Sequence, residues 1–492
     1  MKKIINIYLL FIAAAFCNFS CDDIIEAEPE SIITVNSFWN SEDDAVGGLY
    51  GMYSQFRVFM RANIVLLGEA RSEVMGDGLQ NADYRIKYFE NTLTETNADL
   101  HWQSMYRVIS FANLIIKYVP DIPFNVDSDK NDILAQAYTM RAYMYFLLAK
   151  TWGDVPLITE PTEGFDAETT FQERRPVSEV FQLIKSDIDQ ANGLFSSNEF
   201  NENRSLWSKP ALNVLKGDVY LWTGKVLGGG QSDFTTALNA LNEAENSQVS
   251  LLDDFSRIFD YDNKGNEEVM FVVHFEDIEY TTSTYFADMY IGANDIRSTV
   301  DQETRDIIGA AGGLNWWAPT ELVRNQFHPD DQRRDASFLE VYAQEGGQPA
   351  YITTIVLKGQ GIVDGGVRKF LDDIVVYRYA DLLLLKAEAK NALGQDPSGE
   401  MNQIRQRAYG DQFSNFEFEN GSQIENDEAI LQERLLEFAF ESKRWWDLVR
   451  FDKAFELVPS LQGKSSERHL LLWPVTLQTI SLNSKVTQTA GY

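Results

Sequence analysis

Residues 433–454, ERLLEFAFESKRWWDLVRFDKA, read as one helix. Leu431, Leu435, Phe438, Trp445 and Val449 recur at steps of four and three once Ser442 fills the missing turn, so one face is apolar and must pack on something. On the other side Glu433, Glu437 and Glu441 follow at i+4. Arg444 lies three residues beyond Glu441, and Asp447 three before Arg450, so opposite charges sit one turn apart. Two chemistries fit these acids. Glu437 and Glu441, about 5 to 6 Å apart at Cβ on a helix, approach the spacing of a retaining glycosidase, whose carboxyls stand about 5 Å apart. An ion-pair lattice fits better, because acids and bases interleave and one rigid helix is poorly placed to flank both faces of a bond. Each exposed pair of that kind contributes about 0.3 to 0.5 kcal/mol. Trp445 and Trp446 are expected to anchor the segment in the core.

Working outward to the N-terminus, Lys2 and Lys3 precede an apolar run at 7–16, IYLLFIAAAF, too short to span a bilayer and followed by small residues. Residues 1–20 therefore read as a secretory signal peptide. No other run approaches about 18 apolar residues. Cys17 lies inside that signal and Cys21 just beyond it, after Ser20. Cleavage before Cys21 leaves a single thiol at the new N-terminus, and lipidation of Cys21 accounts for it. Asn18 stands where an aliphatic residue is usual in a lipobox, and the alternative is ordinary cleavage nearby with Cys21 a free thiol. Losing residues 1–20 removes two lysines and no acids, taking the formal charge from −32 to −34 on 472 residues. Such a surface repels polyanions and excludes nucleic acid as a partner. With 44% hydrophobic and 13% aromatic residues, the chain can bury a sizeable core.

Residues 24–40 carry Pro29 and little periodicity, and read as a tether. Asn40 or Ser41 caps the helix that follows, with Glu42, Asp43 and Asp44 complementing its dipole. Ala45, Leu49, Met52, Phe56 and Phe59 form its buried stripe, and Trp39 is placed to staple its start. A second stripe runs from Trp102 through Tyr106, Ile109, Asn113 and Ile116 to Val119, stopping at Pro120. Residues 134–152, 211–226 and 377–393 each place a small residue one turn from a large aromatic or aliphatic one. That is the packing pattern of stacked hairpins resembling irregular tetratricopeptide units, although no fixed period separates them.

Two stretches break the helical rhythm. Residues 67–99 have no sustained period and read as a long functional loop in which Asn81, Tyr84, Arg85 and Tyr88 offer an amide, rings and a guanidinium. The alternative is that the tyrosines only pack the loop down. After a β-type run at 268–275, residues 278–315 form a second excursion with Tyr280, Tyr285 and Tyr290, leading into Trp316-Trp317-Ala-Pro319. One tryptophan is expected to face solvent as a platform for the apolar C–H face of a sugar, with polar groups at the ring's edge; the alternative is that both cover the core. The ligand-contact candidates are thus Asn81, Tyr84, Arg85, Tyr88, Tyr280, Tyr285, Trp316 and Trp317. A basic patch around Arg71 and Arg85 could offset the acidic surface for an anionic glycan.

Taken together, these words resemble the SusD/RagB family of outer-membrane nutrient-binding lipoproteins of the Bacteroidota. The resemblance runs from Cys21-Asp22-Asp23, which is similar to an acidic export tag, and SFWNSEDDA through WQSMYRVISFANLII, RAYMYFLLAKTWGDVPLI and ALNVLKGDVYLWTGK. It continues through EEVMFVV, PTELVRNQFHPDDQRRDASF, YRYADLLLLKAEAKNALG and the opening stretch to LLLWPVTLQTISLNSKVTQTAGY. It implies a mostly α fold, SusD-like, of irregular tetratricopeptide-type hairpins with loop-rich excursions and a few short strands. It also implies an N-terminal SusD-like part at 21–230 and a C-terminal RagB/SusD part at 231–492. The implied partners are an oligosaccharide, or in some members a peptide, a SusC-like TonB-dependent transporter, and the outer membrane through the N-terminal lipid. These motifs are structural, so the resemblance transfers no binding residue.

Other classes find little support. His101, His274, His328 and His469 are scattered without HxxH or HExxH spacing. There is no GxSxG, GxxxxGK[ST] or GxGxxG, and no DxDxDG calcium loop, so no metal or cofactor is implied. A lipidated Cys21 excludes a thiol nucleophile. A carboxylate-pair glycosidase and a helical protein-interaction scaffold remain as alternatives. Release of reducing ends from polysaccharide would single out the first. The long aromatic-bearing loops speak against a scaffold without a small ligand.

Overall fold

The computed structural model describes residues 38–80, 85–164, 170–201, 203–245, 248–278 and 283–492. Cys21, the leader, Asn81, Tyr84 and Tyr280 lie outside these residues. The fold is mostly helical. Helix α1 (Glu42–Gly68) begins in a reciprocal cap, the Ser41 hydroxyl accepting from the Asp44 N–H while the Asp44 carboxylate accepts from the Ser41 N–H at 2.8 Å. Trp39 stacks on Tyr118, centroids 5.8 Å apart, and lies against Gly48 of α1. Helices α2 (Gln103–Tyr118), α3 (Asp127–Trp152), α4 (Val177–Leu194), α5 (Lys209–Val226) and α6 (Gly230–Ala244) follow, and each packs on its neighbour in sequence. Next come α7 (Tyr379–Ala392), α8 (Ser398–Tyr409), α9 (Gln423–Phe438) and α10 (Arg444–Arg450), with α7 lying against α6, α8 and α9.

Helices α3 and α7 are central, not amphipathic. From Ile133 to Trp152 only Tyr138 escapes burial, and along α7 only Lys390 does. Such helices are surrounded on all sides, and their polar residues need partners. Arg141 of α3 makes a bidentate pair with Asp187 of α4 at 2.7 and 2.8 Å. One core cluster extends from Ala45 to Val486.

The strands used below are β1 (Met75–Asp77), β2 (Val269–Val273), β3 (Trp317–Pro319), β4 (Phe338–Glu345), β5 (Gln348–Val356) and β6 (Ile374–Arg378). They pair antiparallel as β1–β3, β2–β6 and β4–β5. The β-type run at 268–275 is indeed a strand. Its partner β6 takes Tyr377, which the helical period had assigned to the following helix. The hairpin β4–β5 escapes the periodic reading, yet it carries a signal: Gly346-Gly347, at φ 59° and 84°, forms the two-residue turn that positive φ at both positions requires.

Residues 433–454 are not one helix. Helix α9 stops at Phe438, Phe440 and Ser442 take left-handed φ of 70° and 59°, and α10 starts at Arg444. The reason lies elsewhere in the chain. The Glu69 carboxyl accepts from the Phe440 N–H at 2.8 Å and the Lys443 N–H at 3.1 Å, and the Glu437 carbonyl accepts from Arg378 at 2.8 Å and Lys358 at 2.9 Å. Groups that a continuing helix would pair internally are thus taken by other elements.

The charge lattice is real but buried, and it joins different elements. Glu433, Glu437 and Glu441 are 1%, 0% and 8% exposed. Arg378 at the end of β6 bonds Glu437 at 2.5 Å, Glu268 at 2.7 Å and Glu441 at 2.9 Å. Arg333 reaches Glu433 at 2.8 Å and Glu437 at 3.0 Å, and Arg407 of α8 reaches Glu437 at 2.5 Å. Arg444 pairs with Glu73 at 2.6 Å rather than with Glu441, whereas Arg450 keeps the expected one-turn pair with Asp447 at 3.1 Å and adds Glu388 at 2.9 Å. The figure for exposed pairs does not apply here, because breaking a buried pair costs far more. Trp445 and Trp446 are buried as expected, Trp445 under the Arg71 guanidinium at 4.3 Å.

Candidate functional site

The two excursions meet. Strand β1 of the first pairs with β3 of the second, Asp77 opposite Trp317. The pairing continues beyond the strands, with Gly78 N–H donating to the Trp316 carbonyl at 3.3 Å and Gln80 N–H to that of Asn315 at 3.2 Å. Gly78 is required at this crossing, since a Cβ there would lie 2.0 Å from the Asn315 carbonyl oxygen. Asn315, fully buried and at φ 46°, is the pivot: its Oδ1 accepts from the Leu79 N–H at 2.9 Å and from the Thr353 hydroxyl of β5 at 2.8 Å. Gly313 allows the tight approach behind it, where a Cβ would meet the Tyr290 carbonyl oxygen at 2.0 Å.

Around that pivot the sequence candidates separate. Trp316 is half-buried, with the Arg85 guanidinium 3.7 Å from its ring centroid. Trp317, on β3, is 3% exposed and packs edge-on against Phe89 at 5.5 Å. Trp317 thus covers the core, while Trp316, just ahead of β3, packs against that core and is only partly buried. Two of the contact candidates, Tyr88 and Tyr285, are interior, as is Tyr290. Tyr88 is 2% exposed between Trp317 and Trp473, and Tyr290 is fully buried, its hydroxyl donating to the Ile308 carbonyl at 2.9 Å. Tyr285 is 3% exposed and donates to the Phe440 carbonyl at 2.7 Å, bracing the break between α9 and α10. Arg85 and Arg71 are 2% and 0% exposed, so they form no basic surface patch.

The polar surroundings are acidic and neutral. The exposed Gln80 amide donates to Asp295 at 3.2 Å, bridging the two loops, and Leu314 stands 42% exposed beside the tryptophans in sequence. Burial pushes Asp288 up to about 7 against the opposing pull of Arg85, and its carbonyl accepts from the N–H of Trp316 at 2.7 Å. Across the pivot, hairpin β4–β5 presents a ring pair absent from the sequence reading. Tyr342 and Tyr351 are 39% and 46% exposed, 5.7 Å apart edge to face, with Arg324 4.6 Å over Tyr351. Alternation around Gly346-Gly347 was the signal that could have found them. The junction therefore offers a partly buried indole and an amide–carboxylate pair, and the hairpin two exposed phenol rings, chemistry suited to C–H faces and hydroxyl groups.

The other carboxylate pair is sealed. Against burial, which would raise it, Arg378, Lys358 and Lys443 hold Glu441 down to about 2. Arg407, Arg378 and Arg333 likewise keep Glu437 well below the usual carboxylate range. A general acid needs the opposite shift and access to substrate. Among the described residues no helix is long and apolar enough to cross a membrane.

Residues 43–221 match a family model described as starch-binding associating with outer membrane, and residues 365–465 match the model of the SusD family. The chain is 28% identical to SusD-like protein P38 of Formosa agariphila over 536 aligned positions, covering 100% of both. Among solved structures it is similar to NanU of B. fragilis, at 33% identity and TM-score 0.81, covering 94% of this chain and 99% of that one. It is also similar to a SusD superfamily protein of Bacteroides vulgatus, at 31% identity and TM-score 0.83, covering 92% and 100%.

Proposed function

The chain belongs to the SusD/RagB family, and from that premise we propose that it is a cell-surface lipoprotein that binds an oligosaccharide. It delivers that ligand to a SusC-like TonB-dependent transporter for import. The observation that carries the binding half of this reading is the meeting of the two excursions at Asn315, which leaves Trp316 partly exposed beside Gln80 and Asp295. Family membership supports a saccharide as ligand and the outer membrane as location, in line with the starch-binding description matched by residues 43–221. Lipidation at Cys21 rests on the single thiol left at the expected cleavage point, and the transporter partner on the sequence resemblance.

The test is a panel of oligosaccharides and peptides titrated calorimetrically into the soluble chain beginning after Cys21, with Trp316→Ala alongside. Saturable binding of a glycan, weakened in the variant, supports the reading. Binding of peptides alone would transfer the site to the peptide-binding side of the family, and reducing ends released from the glycan would overturn the assignment as a binding protein. Co-purification of a transporter with the lipidated chain from outer membranes tests the partner.

A further inference from the structure

A cavity of about 220 Å³ lies away from the loop junction, where the start of α2 meets the C-terminal segment. Its lining includes Trp102, Tyr106, Thr170, Gln172, Gln478 and Leu482. None of its lining residues is Asp, Glu, Lys or Arg, although those types make up 24% of the chain. On so acidic a protein, a recess of amides, hydroxyls and aromatic rings free of carboxylate, ammonium and guanidinium groups is a distinct environment.

Its walls are held before any ligand arrives. The Tyr106 hydroxyl donates to the Pro156 carbonyl at 2.6 Å, and Asn483 Nδ2 to that of Gln172 at 2.8 Å. His101 Nδ1 lies 2.7 Å from the Thr476 hydroxyl. Arg174 ties the tail beyond Val486 to the body through the Thr487 carbonyl at 2.9 Å. Trp102, 8% exposed, is set edge-on against Trp152 at 5.8 Å, which fixes the small part of it that lines the cavity. At the rim the exposed amides of Gln103 and Gln478 make no side-chain hydrogen bond among the described residues, and the buried Thr170 hydroxyl has no partner there either. At about 30 Å³ per water in the liquid, the volume equals roughly seven waters, the scale of one sugar ring.

We propose that this cavity is a second saccharide site, taking one uncharged sugar ring against Trp102 with the Gln103 and Gln478 amides serving its hydroxyls. Rigid aromatic and amide walls reduce the cost of ordering on binding, and the lack of charge selects against uronates and other anionic sugars. The site shares no residue with the surface around Trp316, so the two stand or fall separately.

The test titrates glucose, xylose and N-acetylglucosamine, with glucuronate as the charged comparison, into the soluble chain and three variants. Calorimetry is paired with saturation-transfer NMR to read millimolar binding. The variants are Trp316→Ala, the double variant Gln103→Ala with Gln478→Ala, and Leu482→Trp, which fills the mouth at a residue 62% exposed. The expected result is binding of at least one neutral sugar that survives Trp316→Ala. It should weaken about tenfold in both cavity variants, with glucuronate at least about tenfold weaker than glucose. Binding to no neutral sugar, binding untouched by both cavity variants, or binding lost only with Trp316→Ala would each overturn the proposal. All the altered cavity residues are at the exposed rim, so thermal melts should match the parent chain.

Discussion

The Glu69 carboxyl at the end of α1 accepts a hydrogen bond from the Phe440 N–H at 2.8 Å, linking residues 371 positions apart. Gly68 makes this approach sterically open, since a Cβ on it would sit 1.8 Å from the Ser442 carbonyl oxygen. Gly68→Ala should therefore push α1 away from the α9–α10 break and destabilise the fold by about 1 to 3 kcal/mol. Urea denaturation reads the effect, and an unchanged midpoint would show that the break tolerates the added methyl.

Glu437 is the acceptor that Arg333, Arg378 and Arg407 share. Glu437→Gln keeps the shape but removes the negative charge, leaving buried guanidinium charge uncompensated. The expected cost is about 3 to 5 kcal/mol. Glycan affinity at a temperature where the variant is folded should be unaltered. A variant that loses binding and keeps its stability would move this residue from scaffold to site.

Acid should unfold the chain through its buried ion pairs. Glu441 and Glu388 are held at about 2 in the folded protein, against an ordinary value of 4.5. A lowered folded value means that their contribution is fully present above pH 4.5 and disappears as pH falls towards 2. Glu69 works in the other sense: burial pushes it up to about 8, so its contribution declines as pH rises from 4.5 to 8. Thermal midpoints should fall steeply below pH 4.5, and Glu69→Gln should flatten the slope between 4.5 and 8. A midpoint constant from pH 4.5 to 2 would contradict the assignment of these acids.

The two adjacent tryptophans should part company under mutation. Trp317→Ala empties a core position that is 3% exposed and should cost about 3 to 5 kcal/mol. Trp316→Ala should leave the melting midpoint nearly intact and weaken glycan binding by about 1 to 3 kcal/mol. Parallel calorimetry and melts on the two variants decide it, and equal loss of binding and stability in both would remove the platform role from Trp316.

Gly78→Ala acts on the site without altering a ligand-facing side chain. Its Cβ would collide with the Asn315 carbonyl oxygen and force the first loop off the second. Affinity for the glycan should fall although Trp316, Gln80 and Asp295 are all present. Undiminished affinity would mean that the site does not depend on the loops meeting.

Much of the scaffold was legible because its signals are local. The cap at Ser41, the stripe Ala45–Leu49–Met52–Phe56–Phe59, and the apolar run that became β2 each rest on propensity and period within a few residues. The break at Phe440 and Ser442 was not legible. Ser442 preserved the helical spacing in the sequence, while the donors and acceptors that stop the helix come from Glu69, Lys358 and Arg378. Periodicity likewise placed Glu437 on a charged face, but it could not report that Arg333, Arg378 and Arg407 fold over that face and bury it.

The sequence by itself determined the helical class, the family resemblance and the two loops worth examining, since all three follow from residue order and composition. Which rings of those loops remain at the surface was decided only in three dimensions. Tyr88, Tyr285 and Trp316 look alike in sequence, each the first of two adjacent aromatics in an aperiodic stretch. Packing against Trp473 and the α9–α10 break buries the first two, whereas the β1–β3 pairing turns Trp317 inward and leaves Trp316 beside Arg85, partly in solvent. Exposure is a property of neighbours brought together by long-range pairing, and a chain read residue by residue does not contain it.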